Sequence, residues 1–178
     1  AKEKFNKDNI EPCDFWYYAQ KYKEDMFDFN EEVLRPYFDS ENVISGVFTV
    51  AEKLYGLKFK KLDNVHIFHE EVKVYEVKDS SDKYIGLLYQ DIHPRSTKRG
   101  GAWMNQLRAM GLSKGRIQEP HVTFNCNLTR SSGDTPALLS ISEVRTVFHE
   151  FGHCLHGLLT NVKYKSLGAM SVYWDFVE

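Results

Sequence analysis

The sequence predicts an α+β fold, mainly helical, that forms one unit with a small sheet beside a helix. Three observations predict it. Apolar residues recur at helical spacing through residues 1–60, strand-type alternation occupies about 65–127, and a capped amphipathic pattern covers about 140–160. No repeat, low-complexity segment or linker interrupts this order. With 178 residues and 42% hydrophobic content, the chain is long enough to bury a core.

Helical spacing predicts two helices in the first third of the chain. Residues 10–27 carry an aromatic stripe among lysines and glutamates, which is more typical of core packing than of a binding platform. Pro36 interrupts the helical pattern that follows. A second apolar stripe runs through residues 41–56, and Gly56 is the expected end of that helix because glycine readily adopts the left-handed conformation of a C-terminal cap.

The middle of the chain has the alternation that is typical of strands. Residues 72–77 and 84–90 flank the turn-forming residues 79–82, so they are predicted to form a β-hairpin. Residues 122–127 are a predicted third strand, and residues 137–139 are a candidate for a fourth. The predicted sheet therefore has three or four strands.

A basic loop that ends in two glycines occupies residues 93–101. Its glycines and cationic side chains could hold the backbone or a carboxylate of a substrate. A solvated loop that joins the sheet to a helix is the interpretation that we favour. Four histidines outside the helix 140–160 are expected to be structural or surface residues: His66, His69, His93 and His121.

The overall composition disfavours several classes of protein. The formal net charge is −2 and the pI is about 6.4, so no nucleic-acid partner is expected. Neither a signal peptide nor a membrane span is visible, so no membrane partner is expected either. Cys13, Cys126 and Cys154 lack metal-binding spacing and are expected to be reduced thiols, which favours a cytoplasmic location and leaves a periplasmic one open.

Residues 140–160 are predicted to form an amphipathic helix. Ser140 followed by Glu143 is a capping-box pattern, so the helix should begin there. Apolar residues at steps of three and four predict one buried face, made of Val144, Val147, Phe148, Phe151, Leu155, Leu158 and Leu159.

The opposite face of this helix carries the residues with the most specific chemistry, His149, Glu150 and His153. Two histidines at i and i+4 can direct ring nitrogens at one tetrahedral zinc ion, and a glutamate after the first lies beside the metal. Zinc lowers the pKa of a bound water, and Glu150 is then the expected general base. Two solvated histidines on a polar face are the alternative, which the helix cap and a third ligand candidate disfavour.

A catalytic zinc usually has three protein ligands and one open position, so a third ligand is needed. The metzincin pattern requires glycine and histidine at positions that are His156 and Leu159 here, which excludes that class. His156 lies about 10 Å along the helix axis from His149, too far for one ion to bind all three histidines easily. Beyond the motif the acidic residues are Asp175 and Glu178, which face the same way if that segment is helical.

Residues 146–158 and 174–178 resemble the thimet oligopeptidase family of zinc metallopeptidases. The similarity extends upstream through Asp91 and residues 98–104, and also takes in residues 32–38 and 46–48, so it covers most of the chain.

The resemblance implies the complete metal site. Family members place the third zinc-binding glutamate in an Asp-Phe-Val-Glu segment, at the separation found here between His149 and Glu178. One Zn²⁺ would then be held by His149, His153 and Glu178, with Glu150 as the general base. Asp175 either orients a ligand histidine through its second ring nitrogen or is a surface charge.

The resemblance also implies fold and activity. We expect a zincin-like (gluzincin) catalytic core with a small sheet beside the zinc helix and a third-ligand segment at 172–178. The expected activity is hydrolysis of short peptides, either as an oligopeptidase that cuts internally or as a peptidyl-dipeptidase. Peptide is expected to enter along the sheet, where it can pair with an edge strand.

Family members are much longer than 178 residues, so we expect the chain to be a fragment of a catalytic domain. The family's oxyanion-stabilising histidine and tyrosine residues lie beyond residue 178, so the isolated chain should be nearly inactive. The alternative function is therefore a catalytically incomplete zinc-binding fragment whose partner is the remainder of the same protein. A structural zinc module is disfavoured because it usually needs four protein ligands.

Overall fold

The computed structural model describes residues 9–27, 30–133 and 135–178, and it contains both helices and a sheet. The α-helices are α1 (Phe15–Phe27), α2 (Ser40–Tyr55), α3 (Ile141–Leu159) and α4 (Trp174–Val177). The strands are β1 (Lys58–Leu62), β2 (Lys73–Lys78), β3 (Tyr84–Asp91), β4 (Trp103–Arg108), β5 (Gly111–Ser113), β6 (Arg116–Gln118) and β7 (His121–Asn125). Short 3₁₀ helices cover Glu31–Tyr37, Lys165–Leu167 and Ala169–Ser171. This mixture is compatible with the predicted α+β class.

Five strands form one sheet in the order β1-β2-β3-β7-β4, and β5 pairs with β6 in a separate hairpin. Strands β3 and β7 are parallel, whereas the other neighbours in the large sheet are antiparallel. Helix α3 packs on β7, β4 and β3, and α2 packs on α3 and β1. Both helices lie against one continuous apolar core, which includes Val47, Leu88, Val122, Phe124, Val147, Phe151 and Leu158.

Helix α2 confirms the predicted helix at 41–56 almost residue for residue. The side chain of Asp39 accepts hydrogen bonds from the backbone N–H groups of Glu41 and Asn42, which caps the first turn. Gly56 has a φ of +68°, and its N–H donates to the carbonyl of Glu52. A side chain at this position would be strained, which explains why the helix ends on glycine.

The aromatic stripe of α1 does not enter the core, so the prediction of core packing for residues 10–27 is wrong. No residue of α1 is buried, and the large exposed side chains are Phe15, Trp16, Tyr17, Tyr22, Met26 and Phe27. Helical spacing predicts which face is apolar, but it does not predict whether another part of the same chain covers that face. Among the described residues, no other element packs extensively against α1.

The predicted hairpin is confirmed by β2 and β3, and the predicted third strand by β7. At the hairpin turn, the side chain of Asp79 accepts hydrogen bonds from the N–H groups of Ser81 and Lys83. The candidate fourth strand at 137–139 is wrong, because Leu138 makes only an isolated bridge with Asp39. Strands β1, β4, β5 and β6 were not predicted.

The loop at 93–101 also differs from the prediction. It leads into strand β4 and not into a helix. It is not fully solvated either, because the side chain of Lys98 is only 2% exposed. The strand order explains the first difference: β3 and β4 flank β7, so the connection between them must cross the end of β7.

Among the described residues, we find no helix with the length and apolar character of a membrane span.

Candidate metal centre

The capping box predicted for α3 is present. Ser140 Oγ accepts a hydrogen bond from the N–H of Glu143, and the Glu143 carboxylate accepts one from the N–H of Ser140 at 2.8 Å. The helix begins at Ile141 as a result, and the backbone from there to Leu159 is regular. This rigid helix carries all residues of the predicted His-Glu-x-x-His motif.

The buried face of α3 is narrower than predicted. Its buried residues are Val147, Glu150, Phe151, Cys154, Gly157 and Leu158. Phe148 and Leu159 are exposed, which contradicts their assignment to the buried face. Because successive helical residues are about 100° apart, a face centred on Phe151 and Cys154 turns Phe148 and Leu159 away from the sheet.

Gly157 allows α3 to lie close to the sheet. A Cβ atom at this position would be 2.9 Å from Val122 Cγ1 and 3.2 Å from Met104 Cε. An added side chain would therefore require Val122 or Met104 to shift. The close contact places the edge strand β4 directly beside the helix that carries the histidines.

The structure brings together the three residues predicted as zinc ligands. His149 Nε2 lies 3.0 Å from His153 Nε2, and Glu178 Oε2 lies 3.4 Å and 3.7 Å from these two nitrogens. Among the described residues, these three form the group of histidine, cysteine and acidic side chains that could hold a metal ion. The segment after α3 returns through α4 so that Glu178 faces the turn between the two histidines.

The triangle of ligand atoms has the size that a tetrahedral zinc ion requires. Zinc binds imidazole nitrogen and carboxylate oxygen at about 2.0–2.2 Å, so two ligand atoms of one tetrahedron lie about 3.3–3.5 Å apart. The three observed separations span this value. Two imidazoles and one carboxylate also match the ligand set of a catalytic zinc site, which keeps a fourth position open.

Glu150 lies at the border between the buried face and the histidine face, so it is less exposed than the sequence predicted. Burial raises the pKa of the Glu150 carboxyl, His149 and His153 lower it, and Glu178 raises it further, with a net upward shift. A cleft of about 370 Å³ borders His149 and Glu150 and is also lined by Ser142, Arg145 and Thr146. A substrate in this cleft would therefore lie next to the Glu150 carboxyl.

A second cleft of about 520 Å³ lies further along α3, against Gly152 and His156. It does not border His149 or Glu150, so we do not assign the reacting bond to it. His156 is absent from the metal-binding group, as its position along the helix predicted. Its ring packs instead near Phe176, with the ring centroids 6.1 Å apart.

Asp175 is exposed in the first turn of α4. The structure shows no hydrogen bond or ion pair from Asp175 to either histidine among the described residues. Its role as a group that orients a ligand therefore stays a prediction.

Arg145 lies one turn before His149 and borders the cleft of about 370 Å³. We did not predict a role for it from the sequence, because its place in that cleft depends on tertiary structure.

The sequence profile of Peptidase family M3 matches residues 1–178. The chain belongs to peptidase family M3. This family M3 chain is 37% identical over 180 residues to oligopeptidase A of Escherichia coli (strain K12), a match that covers all of the chain and 26% of the relative. It is 36% identical over 173 residues to dipeptidyl carboxypeptidase of the same organism, which covers 96% of the chain and 25% of that relative.

A plant relative gives a similar result. The chain is 37% identical over 178 residues to the chloroplastic and mitochondrial organellar oligopeptidase A of Arabidopsis thaliana, covering 96% of the chain and 22% of the relative. The chain thus spans about a quarter of the length of the curated relatives that it matches. The resemblance drawn from the sequence motifs is therefore confirmed at the level of the family.

Proposed function

We propose that residues 1–178 supply the metal ligands and the general base of a zincin-like (gluzincin) peptidase core that hydrolyses short peptides. The observation that carries the proposal is the triangle of His149 Nε2, His153 Nε2 and Glu178 Oε2, whose sides of 3.0, 3.4 and 3.7 Å fit one tetrahedral zinc ion. Membership of peptidase family M3 supports it. So do the names of the relatives, which are oligopeptidases and dipeptidyl carboxypeptidases.

In the proposed reaction, His149, His153 and Glu178 hold one Zn²⁺ on the exposed side of α3. When bound there, the ion acts as a Lewis acid and lowers the pKa of water. Glu150 accepts the proton of the attacking water and returns it to the nitrogen of the departing amine. The two histidines are set by one helix, whereas Glu178 arrives from the separate segment around α4.

The edge strand β4 is the proposed docking edge for the peptide backbone. Within the described residues it pairs only with β7, so no strand covers its second edge. An extended peptide that pairs with such an edge gains backbone hydrogen bonds without any requirement for a particular sequence. This suits a peptidase that accepts varied short peptides. Removal of C-terminal dipeptides and internal cleavage both remain compatible with this arrangement.

The alternative is that these residues bind zinc but are catalytically incomplete without the rest of a longer polypeptide. The length of the relatives supports it, because the chain matches about a quarter of each. The open metal site supports it too: the side chains of His149 and Glu178 are 51% and 61% exposed. Exposed apolar residues beside Glu178, namely Tyr173, Trp174 and Phe176, would be covered by additional chain. A cytoplasmic location is proposed from the three free cysteines.

Glu150→Gln in the complete protein tests the proposed function. We expect the variant to keep zinc and to lose hydrolysis of a short fluorogenic peptide by about 10²–10⁴-fold, because only the proton acceptor is removed. Glu52→Gln on the exposed side of α2 is the matched control and should behave like the unsubstituted protein. Near-normal turnover by Glu150→Gln would refute the assignment.

A chimera separates the alternative from a self-sufficient site. Residues 1–178 are inserted into E. coli oligopeptidase A in place of the matching stretch, and the chimera is compared with residues 1–178 alone. We expect the isolated residues to bind zinc weakly and to be nearly inactive, since removal of each oxyanion donor costs about 10²–10³-fold in rate. Equal zinc affinity and equal turnover in both would show that the additional chain is dispensable.

A further inference from the structure

Three charged side chains meet at the carboxyl end of β3, outside the metal centre. The guanidinium of Arg95 donates two hydrogen bonds to the carboxylate of Asp91, at 2.7 and 2.9 Å. The ammonium of Lys98 donates to the same carboxylate at 3.0 Å. The side chains of Lys98 and Asp91 are 2% and 4% exposed, so the charges are screened little by solvent.

The Lys98 ammonium also joins three segments of backbone. Its three N–H groups are shared among four acceptors, namely that carboxylate and the carbonyls of Asp91 at 2.7 Å, His93 at 2.9 Å and Cys126. These carbonyls belong to the end of β3, to the following loop and to the residue directly after β7. A buried charge is tolerated when all its hydrogen-bonding groups have partners. The Lys98 ammonium meets this condition, and its hydrogen bonds hold the loop against the ends of β3 and β7.

A second set of contacts fixes the other end of this loop, residues 92–102. The side-chain amide of Asn127 donates to the carbonyls of Arg99 and Gly101, at 2.9 and 2.6 Å. The guanidinium of Arg99 lies 4.6 Å from the ring centre of Trp103, the first residue of β4. The loop is therefore held at both ends, and its last contact is with the start of the edge strand.

The loop 92–102 lies at the same end of the sheet as the turn of α3 between His149 and His153, the proposed metal-binding turn. Trp103 pairs with Asn125 at the carboxyl end of β7, and Phe151 packs against Phe124 one residue earlier. The carbonyl of Cys126 accepts a hydrogen bond from Lys98. Burial raises the pKa of the Cys126 thiol, and the nearby Glu150 carboxylate raises it further, so Cys126 links the loop to the helix α3. The conformation of the loop thus determines where the first residues of β4 lie relative to α3.

We propose that Lys98 is a positioning residue for peptide substrates. By fixing residues 92–102, it holds Trp103–Arg108 as a rigid edge beside the metal-binding turn, so that an extended peptide can pair with that edge without ordering it first. Pre-ordering of a binding edge lowers the entropic cost of association. This inference rests on the proposed peptidase function, but it concerns residues that bind neither metal nor the reacting bond.

The test compares Lys98→Met with Lys60→Met in the complete protein. Lys60 is exposed on β1, so its substitution by methionine removes the same ammonium group at a site that does not contact the loop. The zinc content, kcat and KM for a short fluorogenic peptide, and amide hydrogen exchange of residues 99–108 are measured. For Lys98→Met we expect full zinc content, a rise in KM of about tenfold or more with a smaller change in kcat, and faster exchange in β4. Lys60→Met should change none of these.

An unchanged KM and unchanged amide exchange in folded Lys98→Met would overturn the proposal. If that variant does not fold, Asn127→Ala decides, because it frees the carbonyls of Arg99 and Gly101 without leaving a buried charge. It must then raise KM and speed exchange in β4, and a KM equal to that of the unsubstituted protein refutes the proposal.

Failure of the proposed function is a separate result. It would appear as an unsubstituted protein that does not cleave the peptide. In that case the role of Lys98 is tested by two quantities that do not require turnover. These are the dissociation constant of a fluorescently labelled short peptide and the amide hydrogen exchange of β4. Equal values in the unsubstituted protein and in Lys98→Met would overturn the positioning role.

Discussion

Two charged clusters lie at the same end of the sheet, and they differ in how their charges are balanced. The Asp91–Arg95–Lys98 cluster contains one carboxylate and two cations, and these groups satisfy one another with hydrogen bonds. The candidate metal centre instead brings two imidazoles and one carboxylate together, with acceptor atoms 3.0–3.7 Å apart. A cluster that contains its own cations needs no further ion, whereas converging acceptors without a protein cation are suited to a metal ion.

The difference in exposure points the same way. Lys98 and Asp91 are almost fully buried, so their interaction is strong and any loss would be felt by the whole fold. His149 and Glu178 are more than half exposed, so the metal-free centre contributes little to stability. Substitutions in the two clusters should therefore have opposite consequences for zinc and for folding.

His149→Ala should have its main effect on zinc affinity. Affinity should fall by more than about 100-fold, since loss of a residue that merely supports a ligand already costs about 10–100-fold. The unfolding free energy of the metal-free protein should change by no more than about 0.5 kcal/mol, as is usual for exposed positions. Zinc titration and denaturant unfolding measure the two quantities. Stoichiometric zinc in His149→Ala, or in His153→Ala, would rule out the site.

The converse substitution is Asp91→Ala. It leaves the buried Lys98 and its neighbour Arg95 without their anion, so we expect a loss of about 3–5 kcal/mol in unfolding free energy. Zinc content should stay unchanged in the folded variant, because no ligand lies in this cluster. Chemical denaturation with parallel metal analysis gives both numbers. A loss in unfolding free energy below about 1 kcal/mol would contradict the expected dependence of the fold on the Asp91 carboxylate.

The pH dependence of stability sharpens the comparison. Burial raises the pKa of the Asp91 carboxyl, but the hydrogen bonds from Arg95 and Lys98 outweigh burial, and the net shift is downward. Between this lowered pKa and that of the unfolded chain, the unfolded state binds more protons, so stability falls as the pH drops below about 4. Unfolding free energies measured from pH 6 to pH 3 should show this fall, with a weaker slope in Asp91→Asn. Parallel slopes would contradict it.

The smallest effect concerns two thiols that lie between the clusters. Burial raises the pKa of Cys126 to about 12 and that of Cys154 well above its usual value, so neither is a reactive thiolate at neutral pH. We expect Ellman's reagent to modify neither residue in the native protein and both after unfolding. Mass spectrometry of modified peptides locates the sites. Rapid native labelling of Cys154, beside His153, would contradict the packing of α3 on β7.

Features with a local signal could be predicted from the sequence. The capping box of Ser140 and Glu143 and the i, i+4 spacing of His149 and His153 each depend on a few neighbouring residues. The predicted hairpin also has its turn residues between its strands. The prediction of Glu178 as a ligand required the family resemblance, because a residue from a separate segment has no local spacing to identify it.

The rest depends on tertiary contacts that no local pattern contains. Strand β4 follows a basic loop and pairs with β7, which lies further along the chain. Lys98 looks like a surface residue in the sequence, and it is buried because the carbonyl of Cys126 is brought to it by β7. The apolar face of α1 has the spacing of a core helix, yet nothing in its own sequence determines what covers it.

X-ray absorption at the zinc edge tests the central claim most directly. The complete protein is prepared metal-free, loaded with one equivalent of Zn²⁺, and compared with Glu178→Ala and with Asp175→Ala as the matched control. We predict one zinc per chain with two imidazole nitrogens and oxygen ligands at about 2.0–2.2 Å, a carboxylate contribution lost only in Glu178→Ala, and no sulfur. A sulfur ligand, or a spectrum that Glu178→Ala leaves unchanged, would contradict the site formed by His149, His153 and Glu178.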